Sequence, residues 1–313
     1  MTQTPLPEGF ISFEEANANK LVLDWNKGDT YQPKEKKLIL LKQIDIRDLE
    51  EFIDWNLLFS FYEMNGRYPK ILKDSAIGNL AQTLFDDTKD TLIKIKKDNL
   101  FQIDALFKNW PAYSENNSIV VEESKINLLR QQAEKKKNQP NYCLSDFIAP
   151  KDTVTDYIGG YVVSVSSKNN CPKEKIYKAA AILLTDAARK YFYTKIRTEY
   201  WAYAKREKLS TEEILKNKNQ GIIIPIGHAA LPNTESKEFL SKLLNAETNL
   251  GRSLTGESSV NNHEFGWCFS HAECKYFGTG KLGNDQIENF IQSSDSDSDT
   301  ERMENELQHL RLQ

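Results

Sequence analysis

The chain is poor in the residues that most readily announce an active site. Its 313 residues include four cysteines (Cys143, Cys171, Cys268, Cys274) and four histidines (His228, His263, His271, His309). Four thiols are too few for a disulfide framework at this length, so reduced cysteines in a cytoplasmic protein are expected. Long apolar runs are missing as well: stretches such as 179–184 fall far short of the ~20 residues a membrane helix needs. The first residues carry no basic region followed by an apolar one, which argues against a secretory signal. Neither sign of charge dominates, with 41 Lys+Arg against 45 Asp+Glu for a net −4, so nothing favours nucleic acid as a main partner. A Walker phosphate loop, the G-x-S-x-G elbow, H-E-x-x-H and C-x-x-C are all absent.

What the chain does have is bulk for a core. Five Trp, 13 Tyr and 15 Phe exclude wholesale disorder, and the length suits one large domain or two ordinary ones. Residues 1–35 are polar around one apolar island, Leu21-Val22-Leu23, and read as an arm laid on a domain. Helical spacing is expected over 48–61, over 74–97 with a stripe of Ile77, Leu80, Leu84 and Leu92, and over 172–203 with a wide stripe that implies burial. Residues 125–138 start as a helix and turn basic; their three consecutive lysines are a solvated loop rather than a nucleic-acid groove. Ser210-Thr211-Glu212-Glu213 is a capping box. Shorter helices are expected over 234–245 and 285–292. Strands are expected near 101–107, 118–122, 157–166 and 266–279; in the third, Gly159-Gly160 signals a bulge or a close backbone approach. Residues 292–313 open with a Ser/Asp run and read as an acidic disordered tail, with serines suited to acid-directed kinases and a short stripe of Met303, Leu307 and Leu310.

Few constellations could carry chemistry. His263-x4-Cys268-x2-His271-x2-Cys274 has the right elements for tetrahedral zinc, but the spacing is irregular and alternation along a strand would send Trp267 and Cys268 to opposite faces, so buried thiols are the plainer expectation. Asp86, Asp87 and Asp90 could pair as acid and base, yet they fall on a solvated helix face. His228 sits in an unusually apolar loop.

Four groups of motifs occur in a specific order. They are Ile53-Asp54-Trp55 with Gly66-x-Tyr68-Pro69-x-Ile71-Leu72-x-Asp74; Leu129-Arg130-Gln131-Gln132 with Asn141-Tyr142-Cys143-Leu144-Ser145-Asp146-Phe147 and Asp156-Tyr157-Ile158-Gly159; Arg197-x-x-Tyr200-Trp201-x-Tyr203 with Gln220-Gly221-Ile222; and Gly266-Trp267-x-Phe269-Ser270-His271 with Lys275-Tyr276. Together they resemble the activation (reactivation) domain of cobalamin-dependent methionine synthase over roughly residues 15–291. The resemblance implies an α+β fold: a single C-shaped domain over 36–291, with a twisted antiparallel sheet and flanking helices. It also implies S-adenosylmethionine as ligand, cobalamin reached only through a partner, and docking on a cobalamin-binding methionine synthase or corrinoid protein, with a flavodoxin-type reductant. No D-x-H-x-x-G cobalt-ligating motif is present, so the chain is expected to be an accessory module rather than a complete enzyme.

By the same resemblance, Asp74, Pro225, Gly227, His228 and Tyr276 fall at S-adenosylmethionine-binding positions. The family's ligand loop reads Arg-Pro-Ala-x-Gly-Tyr-Pro, whereas this chain has Ile223-Ile224-Pro225-Ile226-Gly227-His228-Ala229. Ile223 therefore stands where the family has an arginine, and an isoleucine cannot grip a carboxylate as a guanidinium does. The missing contact should cost about 2–3 kcal/mol, roughly 30- to 150-fold in affinity. Two functions follow as expectations: an activation module that binds S-adenosylmethionine in an altered site, or a family member that has lost the ligand and acts as a non-catalytic interaction or regulatory protein.

Overall fold

A computed structural model describes residues 6–25, 30–168, 170–232, 235–255, 260–293 and 300–312. Two long strands organise it. β-Branched and aromatic residues recur along Phe101–Glu115 and make up half of Asp156–Ser167, and these strands pair antiparallel in unbroken register from Phe101 opposite Ser167 to Ala112 opposite Asp156. Numbered along the chain, the strands are β1 (Ile39–Leu41), β2 (Phe101–Glu115), β3 (Ser118–Val121), β4 (Ser124–Asn127), β5 (Asp156–Ser167), β6 (Ile222–Pro225) and β7 (Asn262–Phe269). They form an open antiparallel sheet in the order β4-β3-β2-β5-β7-β6, and β1 adds to the free edge of β2 beside β3.

The helices are α1 (Phe13–Ala18), α2 (Trp55–Phe61), α3 (Gly78–Lys97), α4 (Lys175–Lys195), α5 (Thr211–Leu215), α6 (Glu235–Leu243), α7 (Ala246–Leu250), α8 (Asn284–Gln292) and α9 (Thr300–Leu307). Strand alternation divides the core between the two sheet faces. Ile103, Ala105, Phe107, Tyr161, Val163, Ile223 and Cys268 face α4, whereas Leu106, Trp110, Val162, Ile222, Ile224, Phe265 and Trp267 face the α6–α7 side. Each large side chain buried this way contributes about 1.5–3 kcal/mol. α4 is apolar nearly all round, as a helix between a sheet and α2–α3 must be, and it runs on into a π-helical turn, Ile196–Tyr200.

The glycine pair in β5 marks close approach, not a bulge, because both residues keep regular partners in β2 and β7. A Cβ on Gly159 would lie 2.5 Å from the Phe107 ring, and one on Gly160 would lie 2.5 Å from Leu240.

Several expectations need correction. The helix over 48–61 is broken: two 3₁₀ turns, Ile46–Asp48 and Glu50–Phe52, precede α2, whose N-terminus is capped by Asp54. In α3 the buried stripe is Ala81, Thr88, Leu92 and Ile95, while Leu80 is exposed. Thr88 and Thr91 are tolerated inside because each hydroxyl donates to a carbonyl four residues back. Residues 125–138 are not helical: β4 ends at Asn127 and an irregular segment follows. β7 ends at Phe269, short of the expected 279.

The tail expectation also changes. α9 packs Met303 and Leu307 against Leu129, Leu282, Ile287 and Phe290, and Leu312 N–H donates to the Leu282 carbonyl at 2.9 Å. The short apolar stripe is thus used within the chain, where tertiary contact stabilises a helix too short to persist alone. The Ser/Asp run at 294–299 lies outside the described residues. At the other end, α1 begins with a Ser12–Glu15 capping box, and Leu21 and Leu23 pack on the α6–α7 side of the core.

Candidate functional site

The apolar loop closes on itself. β6 pairs with β7 through Pro225 opposite Gly266, then Ile226 N–H donates to the Phe265 carbonyl. The chain turns at once: His228 N–H donates to the Pro225 carbonyl, and Gly227 N–H donates to the Leu231 carbonyl at 2.8 Å. Gly227 adopts φ +95°, a backbone conformation that favours glycine, and the space a Cβ would take is open. His228 Nδ1 accepts the Ala230 N–H, and its ring meets Tyr276 edge-on at 6.2 Å. Burial, and then the nearby Arg189 charge, hold the His228 pKa below its ordinary value, so the imidazole is neutral near pH 7.

Tyr276 ties the far side of the loop. Its hydroxyl accepts the Ile223 N–H at 3.2 Å. Ile223 itself is buried on the α4 face of the sheet, opposite Cys268 in β7. The residue that the resemblance sets in place of an arginine is therefore part of the core.

A guanidinium nevertheless approaches this region, from α4. Arg189 makes an ion pair with Glu264 of β7 at 3.0 Å and a very short contact with Asp186 one turn back. Lys190 donates to the second Asp186 oxygen at 2.6 Å and lies 3.9 Å from Asp54. Tyr161 donates its hydroxyl to Glu264 at 2.8 Å. Burial works against the Arg189 charge, but Glu264 and Asp186 outweigh it and raise its pKa. Burial pushes Glu264 upward, with Arg189 opposing. The result is a chain of paired charges that reaches close enough to the 225–231 loop to act on His228.

Asp74 stands apart. It lies exposed before α3, where its carboxylate accepts the N–H groups of Ala76 and Ile77, and these bonds lower its pKa. Of the residues singled out by resemblance, Ile223, Pro225, Gly227, His228 and Tyr276 are gathered into one loop system, and Asp74 is bonded into its own helix start. The zinc-like spacing does not converge, because His263 and Cys268 fall on opposite faces of β7. His263 instead bonds Ser164 at 2.9 Å.

The second motif group has a different role. Arg130 is fully buried, with both terminal nitrogens on the Asp146 carboxylate at 2.7 and 2.8 Å and further bonds to the Asn141 carbonyl and Asn117. Its two sequence segments are thus parts of one clamp.

The comparisons with known proteins agree with this architecture. Residues 45–295 match the family model described as "Vitamin B12 dependent methionine synthase, activation domain". The chain belongs to this family. The chain is also similar to a solved structure described as the MetH reactivation domain bound to AdoHcy, with 28% sequence identity and a TM-score of 0.82 over 96% of this chain and 98% of that one. Among the described residues, no helix of this activation-domain member is long and apolar enough to cross a membrane.

The sequence reading missed Asp186, Arg189 and Glu264. A signal was present: Asp186-x-x-Arg189-Lys190 places three charges on a helix otherwise rich in Ala and Leu, and charges on a buried helix must find partners.

Proposed function

We propose that this activation-domain chain binds S-adenosylmethionine at the loop of Pro225, Gly227 and His228, closed by Tyr276, and serves a cobalamin-bearing methionine synthase domain. The supporting observation is that the turn at Gly227 and the Tyr276 tether are present in a chain that aligns over 96% of its length with a relative described as bound to AdoHcy. The open space at Gly227 suits close approach of a ligand to the backbone. When bound, S-adenosylmethionine would supply a methyl group to cobalamin held by a partner, and this chain's task is to hold and orient the donor. Neutral His228 and the Tyr276 ring offer an aromatic wall, and the backbone of 225–231 offers polar groups. No side-chain charge is available at 223 for a carboxylate.

Isothermal titration with S-adenosylhomocysteine should therefore give saturable but weak binding, in the high-micromolar to millimolar range, given the roughly 30- to 150-fold loss expected from the missing arginine. Tyr276→Phe, which removes the hydroxyl holding Ile223 N–H, should weaken it further. Absence of heat and of any thermal shift at millimolar ligand would overturn the reading.

One observation favours a second reading. Ile223 is sealed in the core and Arg189 is already ion-paired with internal carboxylates, so neither offers a ready grip for a ligand's carboxylate. In that case it would keep only an interaction or regulatory role beside the cobalamin domain, and the same titration would be silent.

A further inference from the structure

Away from the ligand loop, an apolar groove of about 540 Å³ lies between α3 and the 3₁₀ turns before α2. Its floor is Ile46, Ile53, Trp55 and Leu92, and Ile93 stands on its rim 61% exposed. At one end Trp55 continues into a half-buried aromatic group, meeting Phe85 edge-on at 4.6 Å while Phe85 stacks on Tyr68. Such a continuous apolar strip is unusual for a surface with no partner.

The rim is cationic. Lys89, Lys96 and Lys97 surround the floor, and the one acidic lining residue, Glu50, is paired with Lys96 at 3.1 Å. Lys89 lies over the Phe85 ring at 5.4 Å, so its charge borders the apolar strip. From Phe85 to Lys96 the α3 axis advances about 16 Å, the length of three helical turns.

We propose that this groove binds an amphipathic helix of a partner protein whose apolar side chains are flanked by carboxylates. The apolar floor takes the helix anchors, and the lysine rim takes the acidic flanks. A second copy of this chain is disfavoured, because it would bring two lysine rims together. A membrane surface is disfavoured too, because three lysines, one of them paired with Glu50, are too small a patch to hold anionic lipid. The groove is separate from the residues assigned to S-adenosylmethionine, so the two proposals stand or fall independently.

The test uses the full chain and a fluorescein-labelled, helix-forming peptide of about 18 residues with Leu at i, i+3, i+4 and i+7 and Glu on both flanks, read by anisotropy. Saturable micromolar binding that weakens with added salt is expected. Ile93→Glu should weaken it about tenfold or more, and Lys89→Glu with Lys97→Glu should do the same, with circular dichroism unchanged. The doubly reversed variant should in turn prefer the peptide carrying Lys in place of Glu. Three results would overturn the proposal: equal binding of acidic and basic peptides by the parent, binding by Ile93→Glu equal to the parent, or no peptide binding while phosphatidylserine vesicles are captured through the same lysines. Titration with S-adenosylhomocysteine should be unchanged in these variants.

Discussion

Arg130 and Arg189 are both guanidiniums held by carboxylates, and they do different things. Arg130 is fully enclosed, and its donors end on groups of the segments it joins: Asp146, the Asn141 carbonyl and the side chains of Asn17 and Asn117. Arg189 keeps some solvent exposure, and its carboxylates come from its own helix and from β7, near the loop that carries His228. A saturated, sealed arginine fixes chain geometry. One shared between two carboxylates near the proposed ligand loop can be re-partnered by a small change in either carboxylate.

The largest effect should come from Arg130. Arg130→Met strands the buried Asp146 carboxylate and should cost about 3–5 kcal/mol in urea unfolding. A loss below about 1 kcal/mol would show that the clamp is not structural. Next comes Ile223→Arg, which puts a second buried cation near Arg189. It should destabilise by roughly 3 kcal/mol or more, in the range for an uncompensated buried charge. If the variant is as stable as the parent and binds S-adenosylhomocysteine more tightly, position 223 opens to solvent and the assignment of its side chain to the α4 face is wrong.

Glu264→Gln is gentler. It keeps a hydrogen-bond acceptor for Tyr161 and removes one of the two carboxylates on Arg189. The expected cost is on the order of 1 kcal/mol, with affinity for S-adenosylhomocysteine rising roughly threefold as the guanidinium is freed. Unchanged affinity would place Arg189 outside the ligand's reach and erase the contrast with Arg130.

A pH dependence is expected on the opposite sheet face. There Arg252 binds Asp104 and Ser164, and Ser164 binds His263. Burial, and then Arg252, Lys237 and Lys178, lower the His263 pKa from 6.5 to about 4. A depressed histidine contributes stability that is full above 6.5 and lost as pH falls toward 4. His263→Gln should flatten that part of the stability curve, measured as urea midpoints between pH 7 and 4.5. An unchanged slope would assign acid sensitivity elsewhere.

Much of the fold could be read in advance because it rests on local rules. The capping box at Ser210, the β-branched run of β5 and the wide apolar face of α4 each state their conformation within a few residues. The failures share a cause. α3 buries two threonines and exposes Leu80, so a stripe drawn from apolar letters is rotated off the true contact face. β4 carries basic and polar residues that resemble a helix start, and only pairing with β3 makes it a strand.

The candidate site shows the same division. Its loop could be found in the sequence by resemblance, and so could the missing arginine at 223. What the sequence by itself determined is the family, the main helices and strands and the residues that turn the chain, because glycines, caps and apolar periods act over short distances. Only the tertiary structure decided that Ile223 is a core residue, that Arg130 clamps two distant segments, that Arg189 lies near the loop already paired, and that the C-terminal stripe is used within the chain. Those outcomes depend on which sheet face meets which helix, and on where a buried charge finds its partner. Neither is set until elements far apart in the chain have packed.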